Sequence, residues 1–482
     1  MLACLIAAAA APFALQVPLR MLAVLPLVGA VTAVIAARPA AGAYLLLAAT
    51  PLTTGLERGG AIPLLRPSEA LLALVLGALA LRGFFELLRG ATVAVRLKTF
   101  DWWLLAFTMA GSVLPLLWML ARGREITQDD VLYAGYLWKY ASVYLIIRAT
   151  VRDVDQVRRC LAVTLGAGAV VAIIAVAHVL QVQWVHEALA GWFASDDVGE
   201  FTSDRATSTL GSSFAVADVM VFTLAAAAAW AFFEHRLIWL LLPLSALYVG
   251  GTVASGQFSA PIALAIATVT LGVMTRRLGR VLLLGVPFAV VAGFALAPVV
   301  IGRIQDFGST AGVPSSWVGR WENLTTFFWP PLAEDLNWLT GFRVAGRVPA
   351  PESWRDWVWV ESGYTWMLWS GGIVFLVVGC LFLAVGVHAT AAVARERRDV
   401  VGAAAIAALT GLWVNIVLLL IDVHLTLRGA GDLLFALLAL ALSGVAASRA
   451  VAAGGEESGG TDAGGPASPA ATAVARGPGQ SA

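Results

Sequence analysis

The stretch Ser362–His388, SGYTWMLWSGGIVFLVVGCLFLAVGVH, contains no Asp, Glu, Lys or Arg. It exceeds the about 20 apolar residues that an α-helix needs to cross a hydrocarbon core about 30 Å thick. Reading outward from it, about fourteen such stretches follow one another. They fall at Leu2–Val17, Met21–Ala37, Ala41–Leu56, Glu69–Leu88, Phe100–Ala121, Val131–Ile147 and Cys160–Val182, then at Ser212–Phe233, Leu237–Thr252, Gln257–Met274, Val281–Ile301, Ser362–His388, Val400–Ile421 and Ala430–Ala447. The first three are short and interrupted by proline, so the expected fold is an all-α integral membrane protein of about 12 to 14 transmembrane helices.

Composition agrees. The 482 residues are 60% hydrophobic and 13% charged, with a mean hydropathy of +0.85, more apolar surface than a soluble fold can bury. The net charge of +1 provides no basic field for nucleic acid. Cys4, Cys160 and Cys380 lie in or beside apolar stretches without CxxC or CxxH spacing, which reads as small hydrophobes rather than metal ligands or a disulfide. The N-terminus lacks a basic n-region, so it reads as a first span rather than a cleaved signal.

Basic loops set the expected orientation, because Lys and Arg in short loops resist translocation. Arg89, Arg96 and Lys98, then Arg148, Arg152, Arg158 and Arg159, then Arg276, Arg277 and Arg280, and finally Arg395, Arg397 and Arg398 fall on one side by alternation. That side is expected to be cytoplasmic, with residues 1–450 forming the transmembrane domain. Its two long external loops are 183–211 and 302–361, the latter lying between helices that end near Ile301 and begin near Ser362. Residues 451–482, built mainly of Gly, Ala, Pro and Ser, read as a disordered cytoplasmic tail.

No Walker loop, HExxH, GxSxG or DxD-type cluster is present, so templates of soluble enzymes fail. The chemistry-bearing residues concentrate in the two long loops. Arg205 follows Asp204 and precedes a run of small hydroxylated residues, where a guanidinium can hold phosphate in a bidentate manner. The second loop interleaves Arg303, Arg320, Arg343, Arg347 and Arg355 with Trp317, Trp321, Trp329, Trp338, Trp354, Trp357 and Trp359. Such a mixture suits a phosphoglycan, with aromatic faces for sugar rings and arginines for phosphate. On residue chemistry alone, a solvated Asp204–Arg205 pair and an interfacial Trp belt account for the same pattern. Lys139 and Asp218 stand inside spans, where a charge requires a protein interior or a wet cavity. His424, with Asp422 and Arg428, forms a smaller cluster at a span edge.

Five stretches in order resemble the O-antigen polymerase and ligase superfamily. They are IPLLRPSEALLAL from Ile62, LWKYASVYLIIRATVRDVDQVRRCLAV from Leu137, DRATSTLGSS from Asp204, GRWENLTTFFWPPLAEDLNWLTGF from Gly319, and VESGYTWMLWSGGIVFLVVG from Val360. The resemblance implies a metal-independent inverting glycosyltransferase without cofactor, acting on polyprenyl-diphosphate-linked glycan at the outer face of a bacterial inner membrane. Its implied partners are that glycan, membrane lipid and glycan-assembly proteins. Arg205, Arg320, Arg343 and Lys139 are then candidate substrate-binding residues, and Glu361 the candidate catalytic base. Ligases of this family carry a His at the entry to the span after the large loop, where this chain has Glu361, so the resemblance favours a polymerase. Further departures are Ser212, Ser213 and Phe214 in place of Asn, Pro and Asn, and Gln257 in place of an arginine after Ser255 and Gly256. A transporter or lipid-linked glycan flippase, and a non-catalytic glycan-assembly membrane protein, are the alternatives.

Overall fold

The computed structural model describes residues 24–58, 65–90, 97–193, 205–308, 313–351 and 356–444. The span expected at Leu2–Val17, Asp204, Trp354, Arg355 and the tail at 451–482 lie outside them. The chain is an all-α, multi-pass membrane protein. Among the described residues, eight helices are long and apolar enough to cross a membrane, and four shorter ones are apolar. In order they are α1 (Val24–Ala37), α2 (Ala40–Thr53), α3 (Pro67–Leu88), α4 (Thr99–Gly111) running into α5 (Val113–Ala121), α6 (Gln128–Thr150), α7 (Val154–Val179) and a short α8 (Gln183–Trp192). Next come α9 (Ser213–Phe233), α10 (Ile238–Ala254), α11 (Ser259–Thr275), α12 (Leu278–Ala295) and α13 (Ala297–Gly308). After the large loop follow α17 (Gly363–Glu396), α18 (Val400–Leu418) and α19 (Ala430–Leu442).

Helix starts follow local chemistry. Thr127 and Asp130 form a capping box at α6, while Asp153, Ser362 and Asp399 cap α7, α17 and α18 through their side-chain oxygens. Inside the spans, Thr108, Thr164, Thr223 and Thr390 donate their hydroxyls to carbonyls one turn back, which removes a polar group from lipid. Small side chains decide which helices are central. The Ala-rich α9 and α18 pack together and are 72% and 83% buried, whereas α12 is 6% buried and presents Leu283, Val291 and Phe294 outward. Exposed apolar faces of that extent call for lipid as solvent.

The basic loops gather at one end of the bundle. There Arg148 pairs with Asp101, Arg158 with Glu234, Lys98 reaches Leu442 O, and Arg398 reaches Met274 O. The two long loops gather at the other end. The large one starts later than the sequence suggests, because α13 carries the chain past Ile301 to Gly308. It contains α14 (Ser315–Asn323), a π-helical turn at Leu324–Phe328, α15 (Trp329–Ala333), α16 (Asn337–Thr340) and a two-stranded antiparallel ribbon, β1 (Arg347–Pro349) with β2 (Trp357–Trp359).

This loop docks on a break in α17. Gly371 and Gly372 leave helical geometry, Gly372 at φ +65° and ψ −162°, a region open essentially to glycine. The freed Trp369 carbonyl accepts from Phe342 N at 2.6 Å, Trp369 Nε1 donates to Ala345 O at 2.9 Å, and Ser370 donates to Val344 O at 3.2 Å. A β-carbon on Gly372 would stand 2.2 Å from Leu339 O. Gly372→Ala is therefore expected to remove roughly 3 kcal/mol or more of stability through strain and overpacking. Gly83→Ala on α3, where the added carbon meets nothing within 4 Å, serves as the control. Melting in detergent measures both, and an unchanged midpoint for Gly372→Ala contradicts the strained-junction account.

Candidate functional site

The segment after Arg205 turns back into the bundle instead of lying on it. Ala206 N donates to Ala254 O at 3.0 Å, the Ser208 hydroxyl to Val171 O at 2.9 Å, and the Thr209 hydroxyl to Pro51 O at 2.8 Å. The small hydroxylated residues help irregular backbone to be buried here, since the Ser208 and Thr209 hydroxyls find carbonyls inside the bundle. At the mouth of this plug, Arg205 Cγ and Arg303 Nε lie 3.3 and 3.8 Å from where Gly256 would carry a β-carbon. Arg303 also stacks over Phe258 at 5.1 Å. Larger side chains at Gly256 would push these two arginines apart.

From Gly256 the contacts lead on to a charged cluster. Gln257 Nε2 donates to Ser213 Oγ at the start of α9. The next residue, Phe214, lies under the Arg320 guanidinium at 5.2 Å and edge-on to His424 at 6.1 Å. Arg320, brought in by α14, donates to Ile421 O at 3.1 Å and Asp422 Oδ2 at 3.3 Å, and its Nε lies 3.8 Å from Glu361 Oε1. Asn323, one turn along α14, donates to Glu361 Oε2 at 2.8 Å. The Arg320 side chain is 11% exposed against 27% for Glu361, so the carboxylate is the member of the pair that a solute can reach. Trp321 and Trp329, in T-shaped contact at 5.0 Å, present exposed aromatic surface nearby, with Trp321 next to Arg320 in sequence and Trp329 Nε1 donating to Thr365 Oγ1 at 3.3 Å, four residues from Glu361.

Beneath Phe214, His424 Nδ1 and Asp218 Oδ2 are 2.8 Å apart and both side chains are fully buried. Burial alone would favour a neutral His424; the Asp218 charge and hydrogen bond, with Asp422 adding to them, nonetheless place its pKa above the ordinary value. Its Nε2 and Asp218 Oδ1 are buried without hydrogen-bond partners among the described residues.

Of the residues singled out from sequence, then, Glu361 and Arg320 come together, and Arg205 lies on the same chain of contacts. Arg343 and Lys139 do not join them. Arg343 grips Asp130 through Nε and Nη2 at 3.2 and 2.8 Å and Thr127 Oγ1 at 2.9 Å. That hydrogen bond and charge raise its pKa above the usual arginine value against the opposing effect of burial. Lys139 Nζ is 2.7 Å from Asp432 Oδ2 inside the bundle. Asp432 also lines a small pocket with Leu46, Thr50, Val143, Thr164 and Gly168. Arg347 is likewise taken up by Asp129 at 2.7 and 2.8 Å and by the faces of Trp357 and Trp359. Asp422 and Arg303 stood out from sequence only as members of the His424 cluster and of the loop arginines, without roles of their own, and nothing in the local pattern marks Asn323. The signal for the Asp218–His424 pair was visible as two ionisable residues in apolar surroundings, but not as a pair. No family model, curated protein or solved structure matches the chain.

Proposed function

We propose that the protein is a polymerase-like, metal-independent glycosyltransferase acting on polyprenyl-diphosphate-linked glycan at the outer face of a bacterial inner membrane. The observation that carries this reading is the reachable Glu361 carboxylate, held by Asn323 and Arg320 near Trp321 and Trp329. Its grouping with Arg205 and Arg303 along one line of contacts adds two cations for a diphosphate. In the reaction, Glu361 takes the proton of the acceptor hydroxyl as its oxygen bonds to the anomeric carbon. The bond from that carbon to the phosphate oxygen breaks, and the polyprenyl diphosphate leaves with the electron pair, its charge met by Arg205 and Arg303. Arg320, nearly buried and shared between two carboxylates, acts by positioning Glu361 rather than by meeting phosphate, which revises the role expected from its sequence context.

A second reading, a transporter, is favoured by one observation: Asp432, with Oδ1 lacking a hydrogen-bond partner among the described residues and Oδ2 bound to Lys139, lines a small pocket between the helices. The glycan profile of a strain lacking the gene separates the two. The transferase reading expects single-repeat glycan on its lipid carrier at the outer face; carrier-linked glycan retained at the inner face would overturn it in favour of transport.

A further inference from the structure

The turn after α5 brings two like charges onto one neutral atom. Arg122 Nη1 lies 2.7 Å and Arg124 Nη2 2.9 Å from Asn337 Oδ1. The amide is fixed in that sense because its Nδ2 donates to Pro331 O at 2.7 Å. Arg124 also donates to Phe342 O and lies 4.5 Å over the Phe342 ring. Among the described residues neither arginine makes an ion pair, whereas neighbouring Arg343 has Asp130. Burial, then the charge of Arg122, lowers the Arg124 pKa, and Asp335 only partly offsets them.

These arginines border a narrow crevice, too tight as it stands for a water molecule, whose other walls include Arg343, Thr340, Ser370 and Trp118, so a ligand would reach them from the exposed Arg122 side. One arginine on Asn337 and Phe342 O would suffice to hold this part of the loop, so a second cation at the same place is unexplained by folding alone. Beside the cleft, Leu117, Trp118 and Leu120 on the last turns of α5 are exposed as lipid-facing side chains are, which sets the cleft at the depth of membrane headgroups.

We infer that Arg122 and Arg124 bind the phosphate of a membrane-borne phosphorylated lipid. Guanidinium pairs meet phosphate oxygens with charge-assisted, bidentate hydrogen bonds, and an anion between them relieves their mutual repulsion. This site is separate from Glu361 and does not depend on the transferase reading.

The test uses the full chain in detergent, titrated with inorganic pyrophosphate and with farnesyl diphosphate, and in nanodiscs of phosphatidylglycerol or phosphatidylcholine. Arg122→Gln alters an exposed side chain and is expected to fold; Arg124→Lys keeps the charge while losing the fork. Binding, read as ligand-induced thermal stabilisation, is expected to weaken about tenfold in Arg122→Gln, as loss of about 1.4 kcal/mol would give. Stronger binding of farnesyl diphosphate than pyrophosphate identifies an isoprenoid diphosphate, and a response confined to phosphatidylglycerol discs a phospholipid. Equal binding of the two diphosphates means that the free anion suffices, and would overturn the assignment to lipid. Affinity unchanged by Arg122→Gln but lost in Arg205→Gln would place the phosphate at the other site and overturn the inference altogether.

Discussion

Glu361→Gln is expected to leave the protein folded in the membrane and to lower repeat addition by about 10²- to 10⁴-fold, the usual contribution of a positioned general base. The amide keeps the shape and one acceptor oxygen, enough for one of the two donors, Asn323 or Arg320, so binding of the lipid donor should survive while single-repeat glycan accumulates on its carrier. Transfer of finished polymer by whatever ligase the cell has should continue. Asn323→Ala should act in the same direction but more weakly, since Arg320 still orients the carboxylate. The measurement is the glycan ladder of a deletion strain carrying each variant. Full-length ladders with Glu361→Gln and their loss with His424→Gln would move the base to the imidazole held by Asp218. Full-length polymer on the lipid carrier of the deletion strain would instead identify the chain as a ligase.

The second large effect concerns the ion pair inside the bundle. Lys139 and Asp432 side chains are 11% and 4% exposed, and removing one charge leaves the other uncompensated in a low-dielectric interior. Lys139→Met is expected to cost about 3 to 5 kcal/mol, seen as a lower melting temperature in detergent. Adding Asp432→Leu should recover much of that loss, because the stranded charge goes with it, although Gly429 N loses its acceptor at the start of α19. A Lys139→Met protein as stable as the original would refute the account. Activity of the double variant separates structure from function: restored stability with restored activity makes the pair structural, whereas restored stability without activity puts Lys139 at substrate.

Much of the architecture was legible in the chain because a membrane span is a local property. Twenty or so apolar residues must be helical in lipid, where each backbone group has to be satisfied within its own segment, and no distant contact can reverse that. Ser362–His388, Val400–Ile421 and Ser212–Phe233 therefore reappear as α17, α18 and α9 with ends displaced by a few residues, except that α17 continues to Glu396. Alternation also placed the basic loops on one side, and their side chains do meet at one end of the bundle.

The partners of the charged residues were a different matter. Arg320, Arg343 and Lys139 each stand in a sequence context that suits a phosphate contact, yet each meets a carboxylate 102, 213 and 293 residues away along the chain, respectively. Electrostatic partners are set by which helix ends adjoin, and that depends on the packing of small residues along α9 and α18 rather than on the local pattern around an arginine. The same holds for Asp218 and His424, 206 positions apart, and for the break at Gly371 and Gly372, which reads from sequence as two small residues in a span. Sequence by itself determined that the chain crosses a membrane many times and where its polar residues concentrate, because hydrophobic length is additive along the chain. Only the tertiary structure decided which arginines are neutralised and which face a cleft, because Coulomb and hydrogen-bond energies depend on distances that form when the helices pack.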